Sequence, residues 1–159
     1  MTKRLAAIVG TAIAAAALFA IGISQAETPA APSPAQIIKA RQAGLDMSAI
    51  TFSALKQAVE SGADVSKFGY QAHALAGWAT ALPTLFPAGT GEGQAGVDTK
   101  AKPEIWSNRA GFEARAADYA AATAKLADFA KAGDAAGFAS QLPLVKKACD
   151  ACHTDFKER

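Results

Sequence analysis

Apolar residues recur along this chain at steps of seven, or of four and three, and that rhythm restricts it to helices burying one stripe each. Ile38, Leu45, Phe52 and Val59 fall seven apart, with Ser48 and Leu55 on the adjoining row and Arg41 on the same inward side. Ile105, Phe112, Tyr119 and Leu126 repeat the interval, and Phe138, Leu142, Val145, Cys149, Cys152 and Phe156 are spaced 4, 3, 4, 3, 4. Residues at these offsets share one side of an α-helix. The chain is too rich in alanine for a sheet, so the pattern predicts an all-α fold, an antiparallel four-helix bundle.

Punctuation residues set the expected ends. Ser33-Pro34-Ala35-Gln36 has the form of a capping box with proline at the first helical position, and Gly62 is the expected stop of the first helix. A second helix is expected from about Ser66 to Pro83, carrying Phe68, Leu75, Trp78, Leu82 and Leu85. A third opens at Pro103 and ends before Gly133, and Asp134 caps the fourth. Pro143 removes an amide donor and crowds the carbonyl four residues earlier, so a kink or break near Gln141 is expected. Between the second and third helices, Ala88 to Ala101 holds Gly89, Gly91, Gly93 and Gly96 without hydrophobic periodicity. It reads as a flexible loop, free to vary without disturbing the functional residues.

Residues 1–26 read as an export signal that is cleaved: Lys3 and Arg4 supply positive charge, Leu5 to Ile23 carries none, and Ser24-Gln25-Ala26 is a small-x-small cleavage site. The uncharged run approaches the ~20 residues of a membrane span. Its alanines, Gly10, Thr11, Gly22 and the cleavage site favour removal, leaving no membrane segment. Residues 27–34 form a Pro/Ala tether and 35–159 the bundle. The whole chain has 16 Lys and Arg against 14 Asp and Glu; setting Lys3 and Arg4 aside balances them. A domain without basic excess argues against nucleic acid as the main partner, because phosphate binding is largely electrostatic.

The chemistry concentrates in Cys149-Asp150-Ala151-Cys152-His153, the C-x-x-C-H pattern of covalent haem attachment. Two thiols at i and i+3 on one helix face can both reach one porphyrin, and the adjacent imidazole is then carried over the iron. A disulfide, a thioredoxin-type dithiol and a zinc site are the competing readings of two cysteines. The dithiol motif needs a strand leading into its helix, and the other histidine, His73, lies far away in sequence. No nucleophile triad, phosphate loop or acid-base pair is found, so an enzyme is not expected.

The chain resembles class II c-type cytochromes of the cytochrome c prime and cytochrome c-556 group over residues 35–159. The resemblance rests on Arg41-Gln42-Ala43-Gly44-Leu45, on Leu82-Pro83 through Phe86 into Gly89-Thr90-Gly91, and on Lys102-Pro103-Glu104-Ile105-Trp106. Ala132-Gly133-Asp134 and the terminal motif complete it. It implies one haem c bound through Cys149 and Cys152 near the end of the fourth helix, His153 as iron ligand, periplasmic location and a redox partner protein. It also implies a homodimer through the first two helices. Leu45 matches the position facing the iron's sixth site, and leucine has no lone pair to donate. The implied iron is therefore five-coordinate and high-spin, open to NO or CO under a leucine cap. The alternative is a six-coordinate, low-spin c-556-like electron carrier. Met47 is the candidate sixth ligand, but the helical repeat turns it about 200° from Leu45. By the same resemblance Arg41 and Gln42 hold a haem propionate, Phe86, Phe112 and Tyr119 pack on the ring, and Lys157 stands near the proximal face.

Overall fold

The computed structural model describes residues 30–158, and the export signal expected over 1–26 lies outside them. Five α-helices follow in order: α1 (Pro34–Glu60), α2 (Gly69–Ala81), α3 (Glu104–Ser107), α4 (Arg109–Ala132) and α5 (Ala135–Phe156). The four longer ones make the four-helix bundle. Helix α1 opens on the expected capping box: the Ser33 hydroxyl accepts from the Gln36 amide and the Gln36 side chain accepts from the Ser33 amide. The α4-to-α5 corner turns at Gly133, whose φ of 67° is open to glycine at little cost, and Asp134 caps α5 through the Gly137 amide.

Two expected helices are subdivided. The second is a 3₁₀ turn (Val65–Phe68), α2, and another 3₁₀ turn (Leu82–Leu85) that accommodates Pro83. The third is broken after α3 at Asn108, whose side chain caps α4 by accepting from the Gly111 amide. By contrast α5 is not broken at Pro143, where a kink or break near Gln141 is expected from the sequence. Pro143 lies on the exposed side of the helix. The buried residues on either side, Phe138, Gln141, Leu142 and Val145, hold the helix in place, with Gln141 Nε2 donating to the Ala122 carbonyl.

Helix α4 is the axis of the core and packs along both α2 and α5, while α1 leans on α2 and meets α5 only sparsely. Leu75, Ala79, Phe112, Leu126, Phe138 and Val145 are buried between α2, α4 and α5. Leu45, Phe52 and Val59 on α1, and Cys149 and Cys152 on α5, pack on that core yet stay half-buried. Trp78 reaches across from α2 against Gly44, where any Cβ would overlap its ring.

The Gly-rich connection is not the free loop expected from its composition. Thr90 is fully buried, Thr99 and Ala101 nearly so, and Ala101 pairs with Lys157 in an isolated antiparallel bridge at the end of α5. Flexible residues form this connection, but hydrogen bonds from α1 and α5 hold it.

Candidate functional site

The two thiols sit where the 4-3-4 stripe puts them, one helical turn apart on the core-facing side of α5, and neither is in a disulfide. Burial pushes both up from the usual thiol range. For Cys149 the neighbouring Asp150 charge adds to the shift and Lys146 opposes it. Cys152 is pushed up to about 11, with Cys149 and Asp155 adding to burial and Arg115 opposing. His153 follows at the exposed edge of the helix, and its imidazole is held below the usual range by partial burial first and the Lys157 cation second, against Asp150. A neutral imidazole keeps a lone pair for a metal. Among the described residues no group of three or more His, Cys, Asp or Glu could hold a bare metal ion, and His73 is exposed on α2.

Tyr119 joins the sides of the seam between α1 and α5. It is 7% exposed, and its phenol is pushed well above the usual range by burial first and by Cys149 second, with the Ser48 hydroxyl opposing. Tyr119 therefore lies within reach of Ser48 on α1 and of the first cysteine on α5. Leu45 stands one turn before Ser48 on α1, half-buried against the core. Met47 is 68% exposed on the outer side. Two thiols one turn apart, an imidazole beside them and half-buried apolar side chains on α1, Leu45 and Phe52, fit a haem c. The thiols would form its two thioethers, the imidazole would meet the metal, and the apolar side chains would face the ring.

Phe86 and Phe112 form an aromatic chain toward the same helix end. Phe86 meets Phe112 edge-on at 4.9 Å between centroids, and Phe112 meets Phe156 at 5.5 Å. Lys157 follows the last helical residue, its amide donating to the His153 carbonyl at 3.2 Å. Arg41 and Gln42 are turned to the loop. The Arg41 guanidinium donates to Leu85 O, Thr90 Oγ1, Thr90 O and Thr99 Oγ1, and Gln42 Nε2 donates to Asp98 O. These four bonds leave Nε as the one guanidinium donor without a protein acceptor.

Several participants escape a reading of spacing alone. Thr90 and Thr99 are two polar residues among many in a Gly-rich stretch, and Trp106, which donates to the Phe86 and Pro87 carbonyls, falls on no periodic series. The available signal was Arg41 itself: an inward-facing cation needs buried acceptors, and an irregular segment has unpaired carbonyls to offer.

The sequence profile of the cytochrome c' family matches residues 36–157. Cytochrome c' of Rubrivivax gelatinosus is 34% identical over 128 residues, covering 79% of this chain and 97% of that protein. Among solved structures, a cytochrome c' described as having a ligand-controlled dimer dissociation superposes with a TM-score of 0.76 at 26% identity, over 82% of this chain and all of that one. The nitric oxide complex of a leucine-to-valine variant of cytochrome c prime from Alcaligenes xylosoxidans superposes with a TM-score of 0.72 at 25% identity, over 82% of this chain and 100% of that chain.

Proposed function

Since this chain belongs to the cytochrome c' family of electron-transfer and gas-binding proteins carrying one covalently attached haem c, we propose that its iron is five-coordinate and high-spin. In this reading Cys149 and Cys152 anchor the haem, His153 is the sole protein ligand of the iron, and Leu45 covers the opposite face. The haem supplies the redox-active, gas-binding iron. The observation that carries the reading is that, on α1 among the described residues, the half-buried position is Leu45 while Met47 is 68% exposed on the outer side. Leu45 excludes water from the sixth position and admits small uncharged diatomics such as NO and CO. The nitric oxide complex of the Alcaligenes xylosoxidans relative supports that choice of ligand.

The protein acts as a haem carrier without an enzymatic turnover, because Leu45 supplies no acid or base beside the iron. Phe86, Phe112 and Tyr119 give the ring an apolar surround that disfavours extra charge on the metal. Gln42 and the Nε of Arg41 are the groups left to meet a propionate, and Lys157 adds a cation beside His153. Export by residues 1–26 puts the mature chain in the periplasm, where it exchanges electrons with a redox partner protein. Met47 and Ile50 on α1 and Tyr70 on α2 are large apolar side chains left exposed, and they suit a homodimer through these two helices.

Electronic spectra of the oxidised and reduced protein, with and without CO, test this reading. A high-spin spectrum that shifts on adding CO is expected. A low-spin spectrum with a sharp reduced alpha band, indifferent to CO, overturns it in favour of a six-coordinate electron carrier.

A further inference from the structure

Arg41 is buried to 1% exposure, and all four of its hydrogen-bond acceptors are neutral. A cation taken out of water is costly, and among the protein's own groups hydrogen bonds and the Phe86 ring, whose centroid lies 4.2 Å from the guanidinium carbon, offset the cost. The bonds from Arg41 lead to the other side of the haem seam. Its Nη2 donates to Thr99 Oγ1 at 2.9 Å, and that oxygen also accepts from the Ala101 amide at 3.3 Å. The next residues are joined to the end of α5: Lys102 N donates to Phe156 O at 3.1 Å, Glu158 N to Lys100 O at 2.9 Å, and Lys102 Nζ to Thr154 O at 3.0 Å. The last carbonyls of a helix have no partners within it and its end frays unless they are met from outside. Here the loop meets those immediately after His153. A second, aromatic route runs from the guanidinium through Phe86 and Phe112 to Phe156.

We propose that Arg41 is a positioning residue: through Thr99 and the 99–102 segment it holds the last turn of α5, and so sets how His153 is presented, from the α1 segment that carries Leu45. The loop thereby ties the two faces of the haem seam together. The inference rests on the reading of His153 as the iron ligand.

The test uses the haem-loaded protein and two variants, Arg41→Gln and the milder Thr99→Val, which breaks the joint and leaves the guanidinium in place. Amide hydrogen exchange at Lys102, Lys157 and Glu158 is followed together with the iron-histidine stretching band of the reduced protein. In Thr99→Val those three amides are expected to exchange about tenfold faster, the scale of one lost buried hydrogen bond. Amides of α2 and α4 are expected to stay unchanged while the iron-histidine band shifts or broadens. Unchanged exchange at the three amides overturns the proposal, as does faster exchange with an unmoved band, which would leave Arg41 a loop anchor only. Absence of an iron-histidine band in the parent overturns the His153 reading and this proposal with it. The amide exchange distinguishes that failure from failure of the strap.

Discussion

The side of the bundle where α4 lies between α2 and α5 and the side where α1 faces α5 are made of similar residues and packed differently. On the first, Leu75, Leu126, Phe138 and Val145 are at or near complete burial; on the second, Leu45, Phe52, Cys149 and Cys152 remain half-buried. A protein interior packs to nearly crystalline density, so an apolar stripe left incompletely covered marks a place reserved for something else. The well-packed side fixes where the α5 backbone runs, and α1 meets α5 only sparsely beside it. Dense packing and half-burial therefore divide one stripe of α5, with Phe138 to Val145 fully packed in its first half and Cys149 and Cys152 half-buried nearer its end.

The largest expected effect breaks the well-packed side. Phe138→Ala empties a fully buried position and should lower unfolding stability by about 3–5 kcal/mol in denaturant titrations, while the folded fraction keeps the parent haem spectrum. A changed spectrum in molecules that remain folded would mean that the two faces are not separable.

A smaller effect sharpens the contrast at Tyr119, which lies at their border. Its folded-state phenol is raised, mainly by burial, so the folded protein holds that proton where the unfolded chain has lost it. Stability from this group is thus full below the ordinary phenol range near ~10 and declines as pH rises through and beyond it. Tyr119→Phe should lessen the fall in Tm between pH 9 and pH 11. An equal fall in parent and variant would take Tyr119 out of the closed border. Formation of the Cys149 thioether removes the thiolate contribution and leaves burial, so the effect persists in the haem-loaded protein.

Much of this division was legible in the sequence. The sevenfold spacing on α1 and α4 and the 4-3-4 stripe on α5 identified the helices and put both cysteines on the core side, because helical periodicity is local and survives any tertiary arrangement. The capping residues Ser33 and Asp134 marked two helix starts for the same reason. Periodicity did not distinguish full from partial burial: Leu45 and Leu126 both sit in sevenfold series, yet Leu126 on α4 is packed between α2 and α5 while Leu45 on α1 is only half-covered. Nor did it foresee the loop, since Thr90 and Thr99 owe their burial to Arg41, a partner dozens of residues away. Pro143 does not end α5, because the buried residues around it hold the helix through the missing amide bond, and periodicity alone does not weigh that packing.

The proposed five-coordinate site depends on half-buried Leu45 covering the iron's sixth position. The most direct measurement is the rate of CO association with reduced Leu45→Ala against the parent protein. A half-buried leucine should cost less in stability than the ~2 kcal/mol at the lower end for fully buried ones, so the variant remains folded for the experiment. Clearly faster association is expected once the side chain is shortened. An unchanged rate would place the ligand's path, and the haem face it reaches, somewhere other than beneath Leu45.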